Sequence, residues 1–164
     1  MESRFLLSGI AVGILVTLTM DLGAVLGFRL GVAGSGPSPL GPSLIGRWVG
    51  YMAKGQFTHA DILSSPPLPG ETVLGLATHY LVGIVLTFLY LALLSAAGAA
   101  PTVLAALAYG IVTTGLTWFL MFPAQGMGWC GRLARGAHVP RSSLYIHAVF
   151  GAGLALWTAV LPPF

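Results

Sequence analysis

Four long apolar runs constrain this chain more than any other feature: Phe5 to Phe28, Val73 to Gly98, Pro101 to Pro123 and Leu144 to Leu161. Each is close to the ~20 residues that cross a ~30 Å hydrocarbon core. Strands or loops at that depth would expose unpaired backbone N–H and C=O groups to lipid, so the runs are predicted to be helices. Composition agrees about the solvent. Charged residues make up 7% of the 164 and mean hydropathy is +0.90, whereas a water-soluble domain carries about a quarter charged residues. The predicted fold is all-α: a polytopic membrane protein built as a four-transmembrane-helix bundle. It forms a single transmembrane domain over residues 1–164, with helices at about 5–28, 73–98, 101–123 and 144–161 and a long first loop at 29–72.

The first run is expected to be a retained span and not a cleaved leader. Glu2 precedes it alongside Arg4, it outruns the apolar segment of a leader, and it lacks a small-residue cleavage site. The single cysteine, Cys130, excludes an intrachain disulfide and a cysteine metal cluster. Positive charge sets the expected orientation. Arg29, Arg47 and Lys54 lie in the first loop and Arg132, Arg135 and Arg141 in the third, while the second loop has no Lys or Arg. Loops one and three are therefore expected in the cytoplasm and both termini on the outward side of the membrane. The net charge of +3 follows from that asymmetry, so the lipid bilayer is the expected partner and nucleic acid is not.

Two connections stand out. The tight "AAGAAP" link predicts that the second and third spans are antiparallel neighbours in a helical hairpin. The first loop opens with the flexible "GVAGSGPSPLGPS" and continues as "LIGRWVGYMAKGQFTHADILSSPPLPGE". There Leu44, Ile45, Trp48, Val49 and Met52 share one helical face, which predicts a short helix lying in the cytoplasmic interface, with Arg47 and Lys54 reaching headgroups and Trp48 as anchor. The loop is also expected to fold back and bring His59 toward the mouth of the bundle.

Within the spans, Asp21, His79 and His147 interrupt apolar sequence. At ~1.5 Å per residue, Asp21 and His79 each lie about 12 Å from the cytoplasmic edge and His147 about 9 Å. Trp118 reaches a similar level, and Gln125 sits just beyond Pro123. Facing follows from spacing: Gly9, Gly13, Thr17 and Asp21 recur every four residues, His79 sits between Gly75 and Gly83, and His147 precedes Gly151 and Ala155. Small residues at that interval mark close helix contacts, so the three polar side chains are predicted to point into the bundle, with Asp21 paired to a histidine. An unpaired charge near the membrane centre costs at least ~2.5–3.5 kcal/mol. A buried histidine bonded to a neighbouring carbonyl is ordinary helix glue, whereas a carboxylate in lipid points to function. His59 and Asp61 on the loop, and His138 beyond the third span, read more simply as solvated polar residues.

Taken in order, "TMDLGAVLG", "GRWVGYMAKGQFTHADI", "PPLPGE" leading into "HYLVGIV", "PTVLAALAYGIVTT" and "LYIHAVFGAG" resemble the bacterial domain of unknown function 2938 family, small four-helix inner-membrane proteins. The matching residues are Asp21, Gly46, Arg47, Trp48, Gly55, Phe57, His59, Glu71, His79, Tyr80, Pro101 and His147. A glutamine is expected just before the proline that ends the third span; here the sequence is "MFPAQG", with Gln125 after it. The resemblance implies a place in the membrane and no established chemistry.

Three classes of function fit these residues. First comes a structural or accessory subunit of a homo-oligomer or larger membrane complex, docking through its glycine-rich faces. Second comes a proton- or ion-coupled carrier that titrates the buried Asp–His layer. Third comes a metal or haem protein: Asp21, His79 and His147 would hold a divalent metal, with Glu71 and His59 as further ligands, or the two span histidines would clamp a haem. No HExxH, CxxC, G-x-S-x-G or P-loop pattern supports soluble-enzyme chemistry.

Overall fold

The computed structural model describes residues 2–32, 41–134 and 139–162, with the side chains of residues 2–4 left aside. Most of the stretch expected to be flexible (33–40), together with Arg135, His138 and the C-terminal Phe164, lies outside the described residues. The described residues are all-α. Four helices are long and apolar enough to cross a membrane: α1 (Glu2–Arg29), α3 (Glu71–Ala96), α4 (Val103–Ala124) and α5 (Val139–Val160). A shorter helix, α2 (Pro42–Met52), lies between α1 and α3.

Local chemistry explains the ends. The Thr102 hydroxyl caps α4 by accepting from the Ala105 N–H at 3.1 Å. Glu71 opens α3 where a carboxylate favours the N-terminal dipole, and Gly98, at φ +59°, turns the chain after it. Helix α5 starts five residues before the apolar run at Leu144 suggested, because Ser142 and Ser143 are buried and Pro140 falls in the first turn, where no intrahelical N–H is needed. Within α4 the Thr117–Met121 segment widens into a π-turn. Pro123 causes it: with no N–H to give to the preceding turn, the helix must rearrange there.

Packing runs α3 on α1, α1 on α5 and α5 on α4, with α2 laid across α3. Glycines allow these approaches. A Cβ on Gly13 would run into Ile84, one on Gly83 into the Thr17 hydroxyl, and one on Gly110 or Gly151 into the facing backbone. The main core comprises Val12, Val16, Tyr90, Leu91, Ala106, Phe150 and Leu154. Outward residues such as Leu7, Leu18, Leu81, Leu104, Val112 and Leu156 are exposed and apolar, as suits lipid.

The hairpin expectation holds in part. Although α3 and α4 are joined by a short turn, they are not among the helix pairs that pack broadly. They meet through side chains instead: the Tyr109 hydroxyl donates to the Leu86 carbonyl at 2.8 Å, and the rings of Tyr90 and Tyr109 lie 5.2 Å apart. A short link constrains only the ends of two helices. Here Tyr109 and Tyr90 make the contact, and space remains between the helices farther along.

Candidate binding cavity

That space is a cavity of about 650 Å³, walled by all four long helices and by α2. Its walls are overwhelmingly apolar. The polar groups on it are few, and they include Asp21 from α1, His79 from α3, Thr117 from α4 and His147 and Ser143 from α5. Among the described residues, no Lys or Arg lines it. A concave, mostly apolar pocket with a few convergent polar groups is the usual form of a small-molecule site.

Asp21 and His79 are in contact. His79 Nε2 lies 2.9 Å from Asp21 Oδ1, and the Tyr80 hydroxyl donates to Oδ2 at 3.0 Å. An ionised carboxylate only accepts, so the imidazole presents its Nε2–H. Geometry follows from the α1/α3 seam, where Thr17 meets Gly83 one turn away, bringing the two backbones close enough for these side chains to touch. Even so, the Asp21 side chain stays 39% exposed and that of His79 20%, and both residues line the cavity.

His147 shares the cavity but not the partner. Its Nδ1 lies 2.9 Å from Thr113 Oγ1 and its Nε2 3.1 Å from Thr117 Oγ1. Because the Thr113 hydroxyl gives its proton to the Gly110 carbonyl at 2.6 Å, it accepts from His147 Nδ1–H, which leaves Nε2 to accept from Thr117. This network satisfies a neutral ring completely. His147 therefore lies near the Asp21–His79 pair but bonds to α4, where Thr113 and Thr117, four residues apart, are its partners.

Helix α2 forms part of the cavity wall. Ile45, Trp48, Val49 and Met52 line the cavity, and Leu44 joins a second core with Ile62, Phe122, Met127 and Val139. The apolar face expected against headgroups is thus turned to the protein. Gly46 and Gly75 permit this crossing, since a Cβ on either would strike the facing helix backbone, at Glu71 or Pro42. Arg47 is likewise no headgroup anchor. Its Nε and Nη2 hold Glu71 at 2.9 and 2.8 Å, and Nη1 reaches the Ser65 carbonyl at 3.0 Å. The hydrogen bond to Glu71 keeps the guanidinium above its ordinary range of protonation. Glu71 also accepts from the Leu68 N–H at 2.8 Å, so this carboxylate, expected beside the Asp–His layer, serves a separate clasp.

Trp48 Nε1 donates to the Phe57 carbonyl at 2.9 Å. The loop then docks on the end of α4: the His59 N–H bonds to the Ala124 carbonyl at 2.8 Å and the Ile62 N–H to the Gln125 carbonyl at 3.0 Å. His59 is buried, with Nδ1 2.9 Å from Ser65 Oγ and 3.2 Å from Gln56 Nε2. Desolvation pushes its imidazole below the ordinary range, favouring the neutral ring. It belongs to the loop's own network, not to the Asp21 layer. Trp118 packs against the second core with Nε1 unpaired, and Gln125 is 1% exposed with neither amide atom paired.

Among the described residues, no three His, Cys, Asp or Glu side chains converge in a way that would hold a metal ion. Both ring nitrogens of His147 are engaged as well, so neither stands ready as an axial haem ligand. Sequence reasoning missed Thr113, Thr117 and Tyr109. The four-residue threonine spacing was visible, but its destination depended on how α4 met α5.

A family model described as protein of unknown function (DUF2938) matches residues 10–161. No curated protein and no solved structure matches the chain.

Proposed function

The chain belongs to the DUF2938 family, and we propose that it is a multi-pass inner-membrane protein that binds a small, largely apolar molecule in the cavity between α3 and α4, as a carrier would. The supporting observation is the cavity itself, about 650 Å³ of apolar space with the Asp21–His79–Tyr80 group at its wall. A polar anchor in an apolar chamber gives orientation to a ligand that partitions from the bilayer. His147 and Thr117 line the same cavity. Loops one and three are assigned to the cytoplasm by their six Lys and Arg residues, with both termini periplasmic. An accessory role within a homo-oligomer or larger complex would leave the cavity without a purpose, and the ring geometry lends no support to a metal or haem.

Photolabelling tests this reading. A neutral benzophenone probe in proteoliposomes should cross-link saturably to the cavity residues Met20, Met52 and Met121, and Val82→Trp should suppress it by filling the space. Labelling spread over the lipid-facing leucines, with no saturation, would overturn the binding role.

A further inference from the structure

We infer that the occupant is a lipophilic organic cation; this rests on the binding role just described and adds the charge of the ligand. Two features of the cavity carry the inference. Among the described residues, Asp21 is its only acidic side chain and no Lys or Arg lines it. His147 offers an anion nothing free, since both of its nitrogens are bonded to Thr113 and Thr117, and His79 turns its Nε2 to Asp21. Asp21, by contrast, keeps acceptor capacity. Each carboxylate oxygen carries two lone pairs and has one protein partner, and the side chain is 39% exposed.

The walls complete the match. Phe28, Trp48 and Phe150 place aromatic rings around the same space, and ring faces attract cations through their quadrupoles. A desolvated carboxylate beside aromatic rings in an apolar chamber favours a cation whose charge is sheathed in hydrocarbon, because a strongly hydrated one would lose its water for a single partner. Entry suits such a molecule too. Val82 on α3 and Leu116 and Leu120 on α4 line the cavity and are exposed, so the gap between those helices faces the apolar exterior.

Tetraphenylphosphonium and tetraphenylborate share a shape and differ in charge. With the chain in phospholipid vesicles, and uptake by matched empty vesicles subtracted, equilibrium dialysis should show saturable phosphonium binding at least 10-fold tighter than borate binding. Asp21→Asn should weaken phosphonium binding at least 10-fold, and Asp21→Glu should restore part of it. Equal affinity for the two ions in the unaltered protein, or borate preference, would overturn the inference without needing any variant. If benzophenone labelling of the cavity persists in that case, only the ligand's charge has been misassigned; if labelling is also absent, the binding role itself fails.

Discussion

Replacing Arg47 with alanine should release α2 and its loop from the bundle while leaving the four long helices in place. The magnitude follows from what is lost. Arg47 makes two charge-assisted hydrogen bonds to Glu71, at 2.8 and 2.9 Å, and one to the Ser65 carbonyl at 3.0 Å; the contact to the Ile62 carbonyl, at 3.4 Å, is too long to count for much. Hydrogen bonds to charged groups contribute about 1.5–3 kcal/mol each. Against this, Glu71 would keep its bond from Leu68 and its place at the start of α3, worth up to about 1 kcal/mol. The three bonds do not simply add, and removing one partner of a nearly buried ion pair costs about 3–5 kcal/mol, so the docked state of α2 is expected to lose that much, or to show roughly 150- to 5,000-fold faster amide exchange across residues 42–65. Arg47→Lys should recover less than half, since a point charge does not reproduce the bidentate fork. Hydrogen exchange read by mass spectrometry in lipid nanodiscs measures this directly. Protection across 42–65 that changes less than threefold, or equal loss across α1 and α5, would refute the clasp.

Gly75→Leu should displace α2 more severely than Arg47→Ala, because the new side chain occupies the path of the Pro42 carbonyl; a change in Trp48 emission reports it, and unchanged emission would contradict the crossing. The docking of the His59 loop should weaken in acid. Burial lowers the folded-state affinity of His59 for a proton, so the unfolded loop binds protons more readily, and the stabilisation is complete above about pH 6.5 and declines as pH falls below that toward the lowered folded value. Exchange of the His59 and Ile62 amides, corrected for intrinsic rate, should therefore accelerate between pH 7 and pH 5, and His59→Gln should remove the dependence. A periplasm-requiring reporter fused after Phe164 should be active, and activity only of a cytoplasmic reporter there would invert the orientation.

Much of the architecture was readable because lipid leaves a chain few options. Four apolar runs had to be helices, and their lengths fell within a few residues of those observed. Depth and four-residue spacing placed Asp21 and His79 at one level on facing seams, and in the structure they touch. Helix α2 was harder for a physical reason: an apolar face with flanking cations looks the same whether it covers a membrane surface or a protein cavity. What separates the two is Gly46, whose missing side chain allows contact with Glu71 and Gly75, residues distant in sequence. The hydrogen-bond partners of His147 were hidden for a similar reason. Depth gives the level of a side chain but not its azimuth, and rotation of α5 against α4 turned the ring to Thr113 and Thr117. The contact between α3 and α4 rests on Tyr109, whose hydroxyl reaches the Leu86 carbonyl, a meeting that sequence spacing does not reveal.

The central claim, that Asp21 and His79 form one coupled polar unit on the wall of the cavity, is tested most directly by a double-mutant cycle on unfolding in mixed micelles. Asp21→Asn keeps an acceptor for Tyr80 but loses the charge that holds His79, and His79→Ala leaves the carboxylate without its imidazole. Each single change should destabilise the bundle, and the double variant should cost less than their sum by about 1–3 kcal/mol, the range found for residues in direct contact. Simple additivity, within about 0.5 kcal/mol, would show that the two side chains do not act together and would contradict the account.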